Sequence, residues 1–204
     1  MNELDALVNI DLVNRTVKKE HVQLNIVRIG TSGSLQKDIP VDSFVLAKYG
    51  LGFDGMLHSY DCEHILETDF EDAFIKHTYW SLRKARPYIV KNSKTLEKKL
   101  ASDKVFIGVT ATAVGFYGPQ GRALRLPIQD PELNSKIDNF EYNGVRITNL
   151  EMETSAIYGL SKLLGHNACS MNAIIANRAN GTFSEDPYKP VDELILYTLN
   201  KLCS

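Results

Sequence analysis

Five apolar runs rich in β-branched and small residues constrain this chain more than any other feature. They are Gln23 to Ile29, Ser43 to Ala47, Lys104 to Ala113, Gly144 to Thr148 and Ala168 to Ala176. Their length and composition read as strands. Helical periodicity fills the gaps. Leu4, Leu7 and Val8 open the chain at helical spacing. Thr68 and Glu71 are spaced as a capping box for a helix carrying Phe70, Phe74 and Leu82. Ser93 to Ala101 reads as a short helix. Thr154 to Leu164 places Ala156, Ile157, Leu160, Leu163 and Leu164 on one stripe, with Gly165 as its stop. A last helix is expected over Val191 to Leu202. Strands alternating with helices in this order predict an α/β layered fold around a parallel or mixed sheet. No linker or repeat divides the 204 residues, so one domain is expected over 1–204.

Bulk properties exclude several roles. A formal net charge of −2 gives no broad attraction for nucleic acid or an anionic membrane. Anion binding must therefore rest on a few placed residues. The three cysteines, Cys62, Cys169 and Cys203, form no CxxC pair and fit free thiols in a reducing compartment. No apolar run reaches membrane-spanning length, and the opening MNELDALVNI is too acidic for a signal peptide. A cytoplasmic protein is the expectation.

Four segments carry side chains suited to chemistry. In Arg28-Ile29-Gly30-Thr31-Ser32-Gly33, a strand ends in a glycine-bracketed turn bearing two hydroxyls. Glycines let backbone N–H groups approach an anion, and Arg28 offers a forked positive charge. No Gly-Lys-Ser/Thr follows, so it is not a Walker loop. In Phe116-Tyr117-Gly118-Pro119-Gln120-Gly121-Arg122, an aromatic face adjoins an amide and a guanidinium, groups that stack on a planar base and meet its polar edge. In Glu151-Met152-Glu153, two carboxylates flank a soft apolar side chain where a strand enters a helix. Paired carboxylates accept hydrogen bonds from vicinal hydroxyls, yet acidic residues also favour helix N-termini for their own sake. In Asn177-Arg178, a buried strand ends in polar residues, as strands do at α/β sites and also at ordinary loops.

Other segments argue against alternatives. The run His58 to His64 holds several metal-ligand residue types but no HExxH pair, and no metal site is assigned. His21, His77 and His166 read as structural or solvated. Ser32 and Ser34 lack a recognisable base, which disfavours a serine nucleophile.

Taken together and in this order, the four segments resemble the nucleoside phosphorylase family, in its uridine phosphorylase branch. The Gln-x-Arg element of 120 to 122 is the most specific to that branch. The resemblance implies a three-layer fold with a central mixed sheet flanked by helices. It implies that Arg28 and Thr31 bind phosphate, that Thr31 also touches the ribose, that Ser32 and Gly33 line the base pocket, and that Gly30 belongs to the substrate-binding set. Phe116 would stack near uracil, and Gln120 and Arg122 would hold its polar edge. Arg178 would support that pair. Glu151 and Met152 would border the nucleoside, and Glu153 would hold the ribose hydroxyls. The implied reaction is phosphorolysis of uridine to uracil and ribose 1-phosphate in pyrimidine salvage, without cofactor or metal, in a homo-oligomer of dimers or a hexamer.

A purine nucleoside phosphorylase is the nearest alternative. That branch uses an Asp where this chain has Asn177, and Asn cannot supply the proton. The family's chain normally begins earlier, with a Gly-Asp-Pro-type phosphate loop, further arginines and a Thr-Gly-Ile-Gly turn. None of these occurs here. An N-terminally incomplete fold with an exposed sheet edge is expected. So is little phosphorolysis by the chain alone, leaving a non-catalytic or weakly active family member as the second reading.

Overall fold

The computed structural model describes residues Met1 to Cys203. The helices are α1 (Asn2–Asn9), α2 (Thr68–Thr78), α3 (Lys94–Leu100), α4 (Leu133–Asp138), α5 (Thr154–Leu163) and α6 (Tyr188–Cys203). A small hairpin, β1 (Ile10–Asp11) with β2 (Thr16–Val17), follows α1. The main sheet comprises β3 (Asn25–Ser34), β4 (Phe44–Gly52), β5 (Tyr88–Lys91), β6 (Val105–Thr112), β7 (Glu141–Tyr142), β8 (Val145–Glu151), β9 (Asn167–Asn177) and β10 (Thr182–Phe183). All five apolar runs are strands, and the sheet is mixed. Pairs β3–β9, β4–β6 and β6–β8 are parallel, whereas β3–β8, β4–β5 and β4–β9 are antiparallel.

Because β9 pairs with both β3 and β4, the strands β9, β3, β8, β6 and β4 close into a ring. The ring is joined only at the end of β3, through Gly33 and Ser34 on β8, so among the described residues Asn25–Ser32 pairs with a strand, β9, on one side alone and leaves the expected open edge there. Each strand of the ring has two ring neighbours, and β4, β8 and β9 each take a third partner outside it, the short strands β5, β7 and β10. Closure satisfies backbone groups only where the strands pair, over two residues between β3 and β8 and three between β4 and β9.

Helices cover the sheet through separate apolar clusters. Phe70 and Phe74 of α2 and Leu133 and Ile137 of α4 pack on Leu51, Ile89, Val109 and Ile147. Leu96 and Leu100 of α3 and Leu194 of α6 pack on Leu46, Met171 and Ala173. Tyr158 of α5 packs with Leu57, Tyr88 and Ala168. Burial of a Leu or Phe side chain contributes about 1.5–3 kcal/mol.

Three helix details depart from the sequence reading. Glu71 does not close a capping box. Its carboxylate is buried and accepts a hydrogen bond from the Ile89 backbone N–H at 2.9 Å. Leu82 lies beyond α2, which stops at Thr78, and is fully exposed. On α5 the buried face is Thr154, Ser155, Tyr158, Gly159 and Ser161, whereas Ile157, Leu160 and Leu163 are only half-buried. The sheet beneath α5 presents polar partners, so hydroxyl-bearing residues go inward. Tyr158 donates to the Ala47 carbonyl at 2.6 Å.

Candidate active site at the strand ends

Arg28 points from β3 over Gly30, two residues on and on the same face of the strand. A Cβ at position 30 would lie 2.5 Å from Arg28 Nη1. Glycine is needed there because the guanidinium folds flat over it. Nη1 donates to Asn172 Oδ1 at 2.8 Å, with Ser170 Oγ at 3.4 Å. Ser170 and Asn172 stand directly opposite Arg28 and Gly30 in the β3–β9 register. The other end, Nη2, meets two carboxylates: Glu151 Oε2 at 3.1 Å and, in a short ion pair, Glu153 Oε2.

These carboxylates differ in their surroundings. Glu151 closes β8 and is buried. Oε1 accepts from Thr112 Oγ1 at 2.7 Å, and Oε2 accepts from the backbone N–H groups of Glu153 and Thr154 at 3.0 Å each. Those N–H groups belong to the first turn of α5, which favours an anion. Burial nevertheless pushes the Glu151 carboxyl above its usual range, opposed mainly by Arg28 and the Thr112 hydrogen bond. Glu151 thus holds Arg28 from beneath. Glu153 is half-exposed, with Arg28 as its carboxylate's partner. Met152, between them, is exposed.

A second cluster forms around Gln120. A short 3₁₀ turn, Gly118–Gln120, buries the Gln120 side chain. Gly121 follows with φ 72°, and a Cβ there would lie 2.3 Å from Asn134 Nδ2. Gln120 Oε1 accepts from Arg122 Nη1 and from Arg178 Nη2, both at 2.5 Å. Arg178 Nη1 also donates to the Gln120 carbonyl at 2.9 Å. With Oε1 doubly engaged, the Gln120 amide nitrogen remains as a donor. The Arg122 guanidinium lies 3.8 Å from the centre of the Phe116 ring. Among the described residues neither Arg122 nor Arg178 pairs with a carboxylate. Burial and the neighbouring Arg122 charge bring Arg178 down to about 10, and burial lowers Arg122 too.

β3 touches both clusters, through Gly30 and Gly33. Opposite Ser32 and Gly33, β9 carries one extra residue, Ile175, in a bulge. Bulges re-aim side chains beside functional sites. Here the bulge brings Arg178 against Gly33, whose Cβ position is 3.5 Å from Arg178 Nε. Gly33 also pairs with Leu150, the residue before Glu151. Gly30, beneath Arg28, and Gly33, beside Arg178, stand three residues or about 10 Å apart along β3, a spacing at which side-chain directions alternate between the two faces of a strand. Between them Thr31 is exposed, and Ser32 is buried with its hydroxyl accepting from Asn149 Nδ2 at 2.8 Å.

Several contributors were not legible beforehand. Thr112, Ser170 and Asn172 position the charged groups, and all three lie inside apolar runs. Polar residues at alternate positions of a buried strand were the available signal. Asn177 turns away from any ligand role. Its Nδ2 donates to the carbonyls of Gln36 and Ile39 at 2.8 Å each, and its Oδ1 accepts from the Asn180 N–H. A cleft of about 950 Å³ flanks the loop on its other side, lined by Phe53, Trp80, Tyr117, Arg122, Leu126 and Leu133. In the His58 to His64 run, His58 Nε2 contacts the Arg86 carbonyl and Cys62 is buried. Among the described residues no group of three His, Cys, Asp or Glu side chains is placed to hold a metal ion.

The fold is thus a mixed α/β sheet flanked by helices, bearing one arginine bound to two carboxylates and one amide gripped by two guanidiniums. The family model of the phosphorylase superfamily matches residues 7–195, and the chain belongs to that superfamily. A uridine phosphorylase of Thermococcus kodakarensis is 26% identical over 169 residues, covering 78% of this chain and 50% of that protein. The chain thus spans half the length of this curated relative. A Trypanosoma brucei nucleoside phosphorylase structure, described as showing uridine phosphorylase activity, aligns with a TM-score of 0.82 at 24% identity, covering 99% of this chain and 74% of that one. A Phytophthora capsici uridine phosphorylase structure aligns with a TM-score of 0.64 at 20% identity, covering 97% and 72%. These structures share the fold, a central mixed sheet flanked by helices.

Proposed function

We propose that the site binds a pyrimidine nucleoside with phosphate and is built for phosphorolysis of uridine to uracil and ribose 1-phosphate. The observation that carries this reading is the convergence of Arg122 and Arg178 on Gln120 Oε1 with no carboxylate beside them. Two half-buried cations without a carboxylate counter-charge suit an electron-rich partner. A departing pyrimidine is such a partner. In this reading the C1′–N1 bond breaks with its electron pair on the base, and a phosphate oxygen bonds to C1′. Arg122 and the Gln120 amide donors stabilise the negative charge growing on the base, an effect worth about 2.7–4 kcal/mol per donor. Phe116, with Arg122 stacked on it, borders the base plane, and Gly33 leaves room for Arg178. Arg28 and Thr31 face phosphate, Glu153 accepts from the ribose hydroxyls, and Met152 walls the sugar. No organic cofactor or metal enters this scheme.

The purine reading is disfavoured by Asn177. Beyond lacking an acidic proton, its amide is consumed by the Gln36 and Ile39 carbonyls and does not face Gln120. A homo-oligomer in a reducing, cytoplasmic setting belongs to the same proposal. The three cysteines are free, and no helix among the described residues is long and apolar enough to cross a membrane.

The 204-residue chain carries one guanidinium at the sugar end, and two carboxylates offset it. Its own turnover is accordingly expected to be slow. The experiment is uridine binding by calorimetry together with phosphate-dependent uracil release. Uridine binding that Arg122→Ala abolishes supports the reading. Failure to bind uridine, or uracil release independent of phosphate, overturns it.

A further inference from the structure

Arg28 Nη2 serves two carboxylates that are held very differently. Glu151 is built in. Its side chain is 2% exposed and its oxygens are engaged by Thr112, Glu153 N–H and Thr154 N–H. Glu153 is 54% exposed and, among the described residues, its carboxylate is held by Arg28 alone. It sits at the N-cap of α5 without a side-chain capping bond, so nothing in the helix fixes its rotamer. Nη1 is engaged by Asn172 at 2.8 Å. The outward-facing donor of Arg28 is therefore the one that Glu153 covers.

We propose that Glu153 acts as an internal competitor for the anion subsite, so that phosphate and the ribose diol bind synergistically by a partner exchange. An oxyanion arriving at Arg28 must take Nη2 from the Glu153 carboxylate. The displaced carboxylate then has both oxygens free to accept from vicinal sugar hydroxyls. The reverse order is equivalent: a diol that draws Glu153 away uncovers Nη2 for the anion. With Glu153 on Arg28 the local charge is one cation against two anions, which repels phosphate. With Glu153 on the sugar, the Arg28–Glu151 pair is neutral and the donor is open. Reciprocity requires each ligand to raise the other's affinity by the same factor. This inference rests on the proposed assignment of phosphate and nucleoside to this site.

The test is calorimetric titration of the 204-residue chain with inorganic phosphate, with uridine, and with phosphate at saturating uridine. In wild type, uridine should tighten phosphate binding by about 5- to 150-fold, the usual range of such coupling. Glu153→Gln and Glu153→Ala should bind phosphate alone several-fold more tightly than wild type, bind uridine more weakly, and show coupling below about twofold. Unchanged or weaker phosphate binding by both variants overturns the inference, as does independent binding of the two ligands to wild type. The latter result leaves the proposed function standing. Binding of neither ligand to wild type overturns both. A urea midpoint equal to wild type for each variant shows that the fold is unaffected.

Discussion

Arg178 and Gln120 stand 58 positions apart, and Arg178 Nη2 donates to Gln120 Oε1 at 2.5 Å while Nη1 reaches the Gln120 carbonyl at 2.9 Å. One guanidinium thus grips both oxygens of one residue and orients its amide. Hydrogen bonds to charged groups contribute about 1.5–3 kcal/mol. Arg178→Met should weaken uridine binding by about 10- to 150-fold, the equivalent of that energy, and leave phosphate affinity near wild type. Parallel titrations of the two ligands check this. Equal losses for both would show that Arg178 supports the whole fold instead.

In the proposed reading Arg122 serves the base end. Its Nη1 donates to Gln120 Oε1 and its plane lies on Phe116. Arg122→Ala should lower any phosphate-dependent uracil release by about a hundredfold or more, the usual cost of a missing charge-stabilising donor. Arg122→Lys should recover only part of it, because an ammonium cannot reproduce the planar fork on the ring. Initial rates at fixed phosphate measure both variants.

Gly30 matters through Arg28. The tip of Arg28 is pinned by Asn172 and two glutamates, so a methyl 2.5 Å from Nη1 cannot be absorbed by a simple swing. Gly30→Ala should lose anion binding while the urea midpoint changes little, the backbone of β3 being extended. Sulfate titration and urea unfolding on the same preparation separate the two effects.

Burial raises the Glu151 carboxyl above the ordinary glutamate value of 4.5. Its ionised form is therefore penalised in the fold, fully so above the raised folded pKa, and the penalty disappears below 4.5. Protonation in the window that opens above pH 4.5 removes the negative charge beneath Arg28. Sulfate, which does not titrate there, should bind more tightly as the pH falls into that window. Glu151→Gln should flatten the profile. A wild-type profile already flat above pH 4.5 would contradict the assignment.

Phe74 is fully buried, stacked with Phe53 and edge-on to Phe140. Phe74→Ala should destabilise the fold by about 3–5 kcal/mol, as large cavities in aromatic cores do. Chemical denaturation measures it. A loss under 1 kcal/mol would mean that α2 contributes little to the core.

The strands were readable because β-branched runs announce themselves locally, and all five runs are strands, although β3 continues through Ser34 where a turn was expected at Gly30–Gly33, and β4 and β8 run on to Gly52 and Glu151. Side-chain partners were not readable in the same way. Glu71 has the spacing of a capping residue, yet a passing strand offers it the Ile89 N–H, and burial decides in favour of that bond. The inward face of α5 is its hydroxyl-bearing side because the sheet beneath it offers acceptors such as the Ala47 carbonyl. The site segments were recognisable by motif, but Thr112 and Asn172 were not, since each looks like an incidental polar residue within an apolar run.

Local chemistry along the chain sufficed to specify a mixed α/β fold and to single out the charged and amide groups at its strand ends. It did so because strand propensity, turn glycines and clustered polar residues are properties of neighbours in sequence. Tertiary structure alone decided that β9 joins both β3 and β4 to close the sheet, and that a one-residue bulge at Ile175 sets Arg178 against Gly33. It also decided that Arg28 carries Glu151 and Glu153 on one nitrogen. Those outcomes depend on register and on which distant groups compete for the same donor, and no single segment contains that information.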